Sequence, residues 1–472
     1  MSFKRIGASI FAIMAFTSTT FAQQLLTLEQ CRNLAIENNK SLKIASAQEQ
    51  IAYYQKREAL MQYFPKVSAS GTYLHFSKDL HLIGKDQLGT SVTIPASIGG
   101  IPIPPPIAGM GVSLPQSIQD ALYEATKIDM SDYWLAGVTV TQPIFAGGKI
   151  IALNDIRNYA QKLAKTQTQT QLTNVLVEVD EAYWQVVSLA NKQKLAQSYV
   201  ELLTKMDNDV NEMEKEGVAT KADRLSVSVK LNEAEMTLTR ATNGLSLAKM
   251  LLCQICGLEI GEPISLGDEN ISNISLEEAT TSEIPNVEEA FVNRSEIQSL
   301  DWASKIYKKK ENIAIAEFLP TAGVSLGYNW IKPNLQDGRQ NNFAGMWNVA
   351  VRVSVPLNFI TSSAKVNAAR AESKAQQFQL EDAKDKIALQ VNQSNYKLAE
   401  AGKKLIAAKR NIEKADENLR YANTGFEEGV IPSSDVLAAH TAWMSAHSEL
   451  IDAQIDLKLC RIYLDKALGR KI

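Results

Sequence analysis

The chain has 472 residues, a formal net charge of −3, 45% apolar and 21% charged residues, 4 cysteines and 4 histidines. That apolar content excludes global disorder, and a length of about 150 residues per domain gives a soft expectation of roughly three domains. The mild acidity argues against nucleic acid as a partner; the cysteines are too few for a disulfide scaffold, and the histidines leave little room for a histidine-rich metal site.

Residues 1–22 carry Lys4 and Arg5, an apolar stretch from Ile6 to Phe16, and small residues at Thr20 and Ala22. This reads as a signal peptide cut before Gln23, because the apolar run is too short to span a bilayer. Cys31 does not lie in a lipid-attachment context, so no N-terminal lipid is expected. Beyond residue 22 no run of about 18 apolar residues exists. The most apolar stretch, Ile98–Val112, holds Pro102, Pro104, Pro105 and Pro106, which exclude a spanning helix. The mature protein is therefore either soluble outside the cytoplasm or a transmembrane β-barrel.

The remaining elements follow in order. A first helical region covers 23–62. A β-hairpin covers 63–145, interrupted by a long insertion at 77–132 that is rich in Gly, Pro and Ile and helix-like from Gln116 to Ile128. Long helices fill 146–262 with a turn at 214–223, and a linker covers 263–286. Another helix at 287–318, a second hairpin at 319–357 and long helices over 358–472, with a turn at 426–435, complete the chain.

The second half repeats the first. Glu216-Gly217-Val218…Asp223 matches Glu428-Gly429-Val430…Asp435 at an offset of 212, and Trp134…Pro143 matches Trp347…Pro356 at 213. Tyr63-Phe64-Pro65 matches Phe318-Leu319-Pro320 at 255, so the excess length of the first half is the insertion. The strand segments alternate. Ala322, Val324, Leu326, Tyr328 and Trp330 share one face, and Trp347, Val349, Val351 and Val353 oppose Asn348, Ala350, Arg352 and Ser354. Segments of about 10 alternating residues with aromatics near their ends fit tilted membrane strands. In the helices, positions 387, 391, 394, 398, 401, 405, 408, 412, 415, 419, 422 and 426 step by 4 and 3, and the same positions less 212 repeat the pattern from Val175. A period of about 3.5 residues is a coiled-coil seam. A helix from Ile150 to Glu214 is roughly 97 Å long at about 1.5 Å per residue.

Four strands cannot close a barrel, since the smallest membrane barrels use about 8. An open edge cannot face lipid. Two chains supply 8 strands and three supply 12; this arithmetic does not choose between them.

The chain resembles the TolC family of bacterial outer-membrane efflux and secretion channels. The resemblance rests on the tandem repeat and on the opening Leu28-Glu29-Gln30…Ala35-Ile36-Glu37-Asn38-Asn39. It rests also on Tyr63-Phe64-Pro65, on Thr141-Gln142-Pro143-Ile144-Phe145-Ala146-Gly147-Gly148 and on the two Glu-Gly-Val…Asp turns. It implies a mainly α protein with membrane β: a long coiled-coil α-barrel continued by a transmembrane β-barrel, closed by a homotrimer with four strands per chain and 12 in total. It implies a place in the outer membrane with a periplasmic extension, in contact with outer-membrane lipid. The expected partners are a periplasmic adaptor and, through it, an inner-membrane transporter. The expected role is the exit duct of a tripartite efflux pump or type I secretion system exporting small toxic compounds or drugs.

The resemblance assigns Asp435, and Asp223 at the matching first-repeat position, to the periplasmic constriction of the channel. Carboxylate rings attract cations. The same residues also suit helix N-termini, and Thr220 with Asp223 resembles a capping pair, so both roles stand. Phe426 and Ile431 occupy gate positions where relatives carry Tyr and Arg, and Ala438 stands where a second aspartate is common, so closure rests more on apolar packing. Gly217, Val218, Gly429 and Val430 match surfaces that meet the adaptor. Arg352 lies on the strand face assigned to the lumen. Cys253 and Cys256 read as buried small hydrophobes rather than a redox or metal pair, and His440 and His447 as solvent- or seam-facing. The insertion is expected outside the cell, as a lid or a surface loop. No phosphate-cradling loop, triad or metal-ligand cluster is present, so no enzyme activity, cofactor or metal is expected. The competing reading is a structural or adhesive coiled-coil protein of the envelope without a pore.

Overall fold

The computed structural model describes residues 24–82, 84, 86, 91–93, 97–98, 101–102, 111–269, 285–334, 341–357 and 359–471. The expected signal peptide, residues 270–284 of the linker and parts of the insertion lie outside them. In chain order, β1 (Gln24–Leu26), α1 (Leu28–Asn38), α2 (Lys40–Met61) and β2 (Lys66–Leu74) lead to the insertion. The insertion holds β3 (Leu80–His81), β4 (Ser91–Thr93), β5 (Ser97–Ile98), β6 (Ile101–Pro102), β7 (Gly111–Ser113), α3 (Gln116–Ala125) and β8 (Lys127–Ile128). Then come β9 (Tyr133–Ala146), α4 (Lys149–Lys215), α5 (Lys221–Cys256), β10 (Ile264–Leu266), α6 (Val287–Asn293) and α7 (Ser295–Ala316). The chain ends with β11 (Thr321–Lys332), β12 (Ala344–Ser354), α8 (Phe359–Glu427) and α9 (Ser433–Leu468). No helix among the described residues is long and apolar enough to cross a membrane.

The chain divides into two compact bodies. The first comprises 1–54, 158–307 and 373–472 and holds the paired helices. Its heptad positions are inside: Val175, Val179, Ala182, Val186, Ala196, Leu203 and Val210 on α4, and Ile387, Val391, Ala401, Leu405, Ala408, Ala415, Leu419 and Ala422 on α8. Each fully buried Val or Leu contributes about 1.5–3 kcal/mol of transfer free energy. The alanines contribute less area but let helix axes approach. Where the seam carries Gln193, Asp207 and Glu214 it is only half-buried.

The segment of β1 and α1 docks onto this bundle. Thr27 caps α1 in a reciprocal box with Gln30, each side chain accepting from the other's backbone N–H, at 3.3 and 2.9 Å. β1 pairs parallel with β10, Leu26 beside Leu266. Around them Cys31, Tyr183, Leu252, Cys253, Cys256 and Ile264 form one buried cluster. At its border the Arg32 guanidinium grips Asp180 through Nε at 2.7 Å and a second nitrogen at 2.5 Å. The Asp180 side chain is fully buried, and desolvation raises its carboxyl despite the arginine. The Tyr183 hydroxyl donates to Asp268 at 2.7 Å.

The second body comprises 55–157 and 308–372 and is built on one antiparallel sheet in the order β12–β11–β9–β2. Pro143, which has no N–H to donate, sits where the β9–β11 register shifts between Ala322 and Gly323, a bulge that tolerates it. The insertion leaves between β2 and β9. Its strands pair as nested antiparallel partners, β3 with β8, β4 with β7 and β5 with β6.

Removing one partner of a buried ion pair strands the other charge, at a cost of about 3–5 kcal/mol. Arg32→Ala leaves the Asp180 carboxylate buried and alone, and should lower the thermal midpoint of the detergent-extracted protein far more than exposed Lys386→Ala. Equal midpoints for the two variants would show that the pair does not anchor α1.

Candidate functional site

Two regions carry the residues singled out by the sequence: the faces of the sheet and the turns between the long helices.

Residues directly opposite one another in a sheet lie on the same face. The register therefore collects Val67, Ala69 and Tyr73 of β2, Trp134, Ala136, Val138 and Val140 of β9, Val324, Leu326, Tyr328 and Trp330 of β11, and Trp347, Val349, Val351 and Val353 of β12 on one side. Aromatic residues gather toward one end of this side, where Tyr73 meets Trp134 and Tyr328 meets Trp330, both at 4.7 Å between ring centroids. The other side carries Ser68, Ser70, Thr72, Thr139, Thr141, Ser325, Asn329, Asn348 and Arg352. On it Asn329 donates to Asn348 at 3.0 Å. Gly137 and Gly327 lie directly under these two amides, where a Cβ would collide with their oxygens. Arg352 stands opposite Gly323, which leaves its long side chain room. Among the described residues the backbone of β12 pairs only with β11, and that of β2 only with β9, so there each end of the sheet presents an unpaired edge.

The two helix turns repeat one another bond for bond. Gly217 at φ +74° and Gly429 at φ +73° end α4 and α8 in the left-handed region that glycine adopts without strain. Gly217 N–H donates to Glu214 O and Gly429 N–H to Phe426 O, both at 3.0 Å. Val218 and Ala219 donate to Met213 O as Val430 and Ile431 donate to Gly425 O. Val218 and Val430 project outward, 73% and 79% exposed. Phe426 and Ile431 face the other way: they pack on the buried cluster of Leu203, Val210, Val227, Leu419 and Val436. Ile431 lies on Gly425, where a Cβ would come within 2.5 Å of its Cδ1.

The symmetry fails at the next helix start. Thr220 and Asp223 form a complete capping box, with Asp223 Oδ2 accepting from Thr220 N at 3.0 Å and from its hydroxyl at 2.6 Å. Asp223 Oδ1 accepts from Ser433 Oγ at 3.0 Å, which ties the first-repeat turn to the first residue of α9. These bonds, those from Thr220 foremost, hold the Asp223 carboxyl below the usual carboxylate range. The matching cap of α9 is Pro432, which offers neither N–H nor hydroxyl and makes no side-chain cap bond. Asp435 is therefore left exposed, contacted by Ser434 Oγ at 3.3 Å. Asp223, Ser226 and Lys230 on α5 and Ser434, Leu437, Ala438, Thr441 and Ser445 on α9 line a groove of 620 Å³ between the two helices.

The structure thus brings Asp223 and the α9 start together and separates Phe426 and Ile431 from the exposed valines. It also shows what the sequence did not. The link from Asp223 to Ser433 crosses between repeats and has no sequence signature, whereas the loss of the second box was visible in Pro432. His440 is 3% exposed, and burial lowers its basicity, so it stays neutral in the seam. His447 instead shares Asp416 with the Trp443 indole, at 2.9 and 2.8 Å.

Solved structures share this fold. The Campylobacter jejuni CmeC outer membrane channel superposes with a TM-score of 0.75 at 13% identity, covering 94% of this chain and 85% of that one. The outer-membrane channel OprN superposes at 0.72 with 15% identity, covering 94% and 90%. The outer membrane protein VceC of Vibrio cholerae superposes at 0.69 with 14% identity, covering 94% and 96%. Identities this low speak for the fold alone. No curated protein sequence matches the chain. The family model described as outer membrane efflux protein matches residues 108–258 and 286–470. With both repeats matched, the chain belongs to the outer membrane efflux protein family, a TolC-like family of outer-membrane channels that extend into the periplasm.

Proposed function

We propose that three copies of this chain close a transmembrane barrel of 12 strands, continued by a helical duct through the periplasm. The observation that carries this reading is the sheet: one apolar face ending in aromatics, one polar face, and an unpaired edge on each side. In hydrocarbon those edges require partners, because each unsatisfied backbone group costs several kcal/mol. β2 and β12 run in opposite directions, so β12 of one copy pairs antiparallel with β2 of the next, and every further copy continues the same pattern. Two copies would give a barrel of about 8 strands, whose interior is just filled by side chains. The polar face here is mostly Ser, Thr, Gly, Ala and Asn, with Leu135, Ile331 and Met346 toward one end; such small residues leave that interior unfilled, and a wider ring leaves a wet lumen with Arg352 in it.

The domain scheme follows: strands over 63–145 and 319–357 in the outer membrane, the insertion outside the cell, and helices over 146–262 and 358–472 in the periplasm. The turns at 214–223 and 426–435 are the periplasmic ends. There Asp435 and Asp223 form the acidic constriction, with Phe426 and Ile431 packing behind it. Gly217, Val218, Gly429 and Val430 meet a periplasmic adaptor that links the duct to an inner-membrane transporter. The exported cargo is small toxic compounds or drugs.

A cationic side chain on the lipid face of a barrel costs about 2–4 kcal/mol at mid-membrane. Val351→Arg should therefore abolish the heat-resistant oligomer in outer-membrane extracts, whereas Ala350→Arg, on the polar face, should leave it. Equal tolerance of both would rule out a lipid-facing apolar side.

In planar bilayers the extracted oligomer should show discrete, cation-preferring conductance, and Asp223→Ala/Asp435→Ala should raise the conductance or weaken that preference. Because the Asp223 carboxyl is depressed, its charge persists as pH falls into the ordinary carboxylate range and is lost only below it. In an Asp435→Ala background the cation preference should persist on acidification from neutrality into that range. An oligomer that conducts nothing would leave only the pore-free coiled-coil reading.

A further inference from the structure

The thiols of Cys31 and Cys256 meet in the core where the mature N-terminal segment docks. Cys31 lies in the first turn of α1 and Cys256 ends α5, and both are fully buried among Leu26, Val179, Tyr183 and Leu252. Cys256 Sγ donates to the Cys31 carbonyl oxygen at 3.6 Å, and both cysteines are free thiols in this structure. The helices are held together here by more than these sulfurs. Asn39 Nδ2 donates to Ile255 O at 3.0 Å, and Gly257 approaches α1 so closely that a Cβ would come within 2.5 Å of Asn38 Cβ. Cys253, the other half of the Cys-x-x-Cys sequence, is turned away, with its Sγ 3.9 Å from Glu262 O. Cys460 belongs to a different cluster, beside Leu405 and Leu457.

We propose that Cys31 and Cys256 are the two halves of a disulfide in the mature protein, formed outside the cytoplasm, while Cys253 and Cys460 remain thiols. Disulfides form and persist in oxidising extracytoplasmic compartments, and the family places this part of the chain in one. The Cys31–Cys256 pairing selects between two sulfurs three residues apart on one helix, a choice that sequence spacing alone would make the other way, within the Cys-x-x-Cys.

The chemistry is exchange with the disulfide of a thiol–disulfide oxidant. The Cys31 thiolate attacks one sulfur of the oxidant, forming a mixed disulfide and expelling the oxidant's first thiolate. The Cys256 thiolate then attacks Cys31 Sγ, the Sγ–Sγ bond forms, and the oxidant's second thiolate leaves. Two electrons pass to the oxidant, and the two protons lost by the cysteines end on its thiols. Both sulfurs are inaccessible once α1 has docked, so exchange precedes docking and the bond then fastens the N-terminal segment to the end of the first repeat.

The test uses the full chain extracted from outer membranes. Free thiols are blocked with N-ethylmaleimide under denaturing conditions, and the protein is digested without reduction and mapped by mass spectrometry. A Cys31–Cys256 linked peptide, two hydrogens lighter than its separate parts, with Cys253 and Cys460 both alkylated, is the expected result. Four alkylated cysteines, or a Cys253–Cys256 linkage, would overturn the proposal. Cys253→Ser should keep the linked peptide, and its loss in that variant would equally sink the pairing. The readout is the bond itself, so a failure of the conductance experiments leaves it separately decidable.

Discussion

A backbone amide in hydrocarbon has no water to turn to, and this single constraint governs the rest of the molecule. The sheet of β12, β11, β9 and β2 satisfies its interior strands but leaves both outer ones half-paired. A soluble protein covers such edges with charge, proline or a loop. Here β12 instead presents Trp347, Val349, Val351 and Val353 on one side and polar residues on the other, a composition suited to a neighbour and to lipid. In the proposed barrel this asymmetry puts the polar side inside, and its many small residues favour the wider ring.

The helices obey a different economy. Away from lipid they can bury only a narrow stripe, so their stability comes from a repeated seam rather than a broad core. Alanine at many seam positions limits the area buried per residue and shortens the distance between axes. The seam is supplemented by specific polar fasteners, among them Arg32 with Asp180, Tyr183 with Asp268 and Asp416 with Trp443 and His447. The first of them fastens α1, a short segment of 11 residues with little apolar area of its own.

Much of this was legible in the sequence because it is periodic. The alternation in β11 and β12, the heptad positions from Val175 and Ile387 and the two glycine turns are local patterns, and the structure places them as the patterns require. The capping pair at Thr220 and Asp223 was legible for the same reason. The bonds between distant residues were not. Nothing near Arg32 announces Asp180, β1 and β10 are three residues each with no alternation to read, and Asp223 gives no hint of Ser433. In the insertion, the helix-like stretch from Gln116 forms α3, whereas the short paired strands of its described parts had no signature in a segment rich in proline and glycine. Nested pairing depends on partners far apart in sequence, which composition does not record.

The order in which the strands pair in the sheet also constrains the order in which the molecule can assemble. β11 and β12 are neighbours in the chain, as β2 and β9 are on either side of the insertion, so each hairpin closes through contacts of modest sequence separation. The contact between them is of another kind: Leu326 pairs with Val140, and between those residues runs all of α4 and α5. Loop closure over that distance is slow and entropically costly, and topology of this sort sets folding rates. The central seam of the sheet is therefore the pairing with the longest intervening chain, and collapse of the helical hairpin between its halves shortens the loop it must close. Until that seam forms, each half exposes an apolar ribbon with open edges.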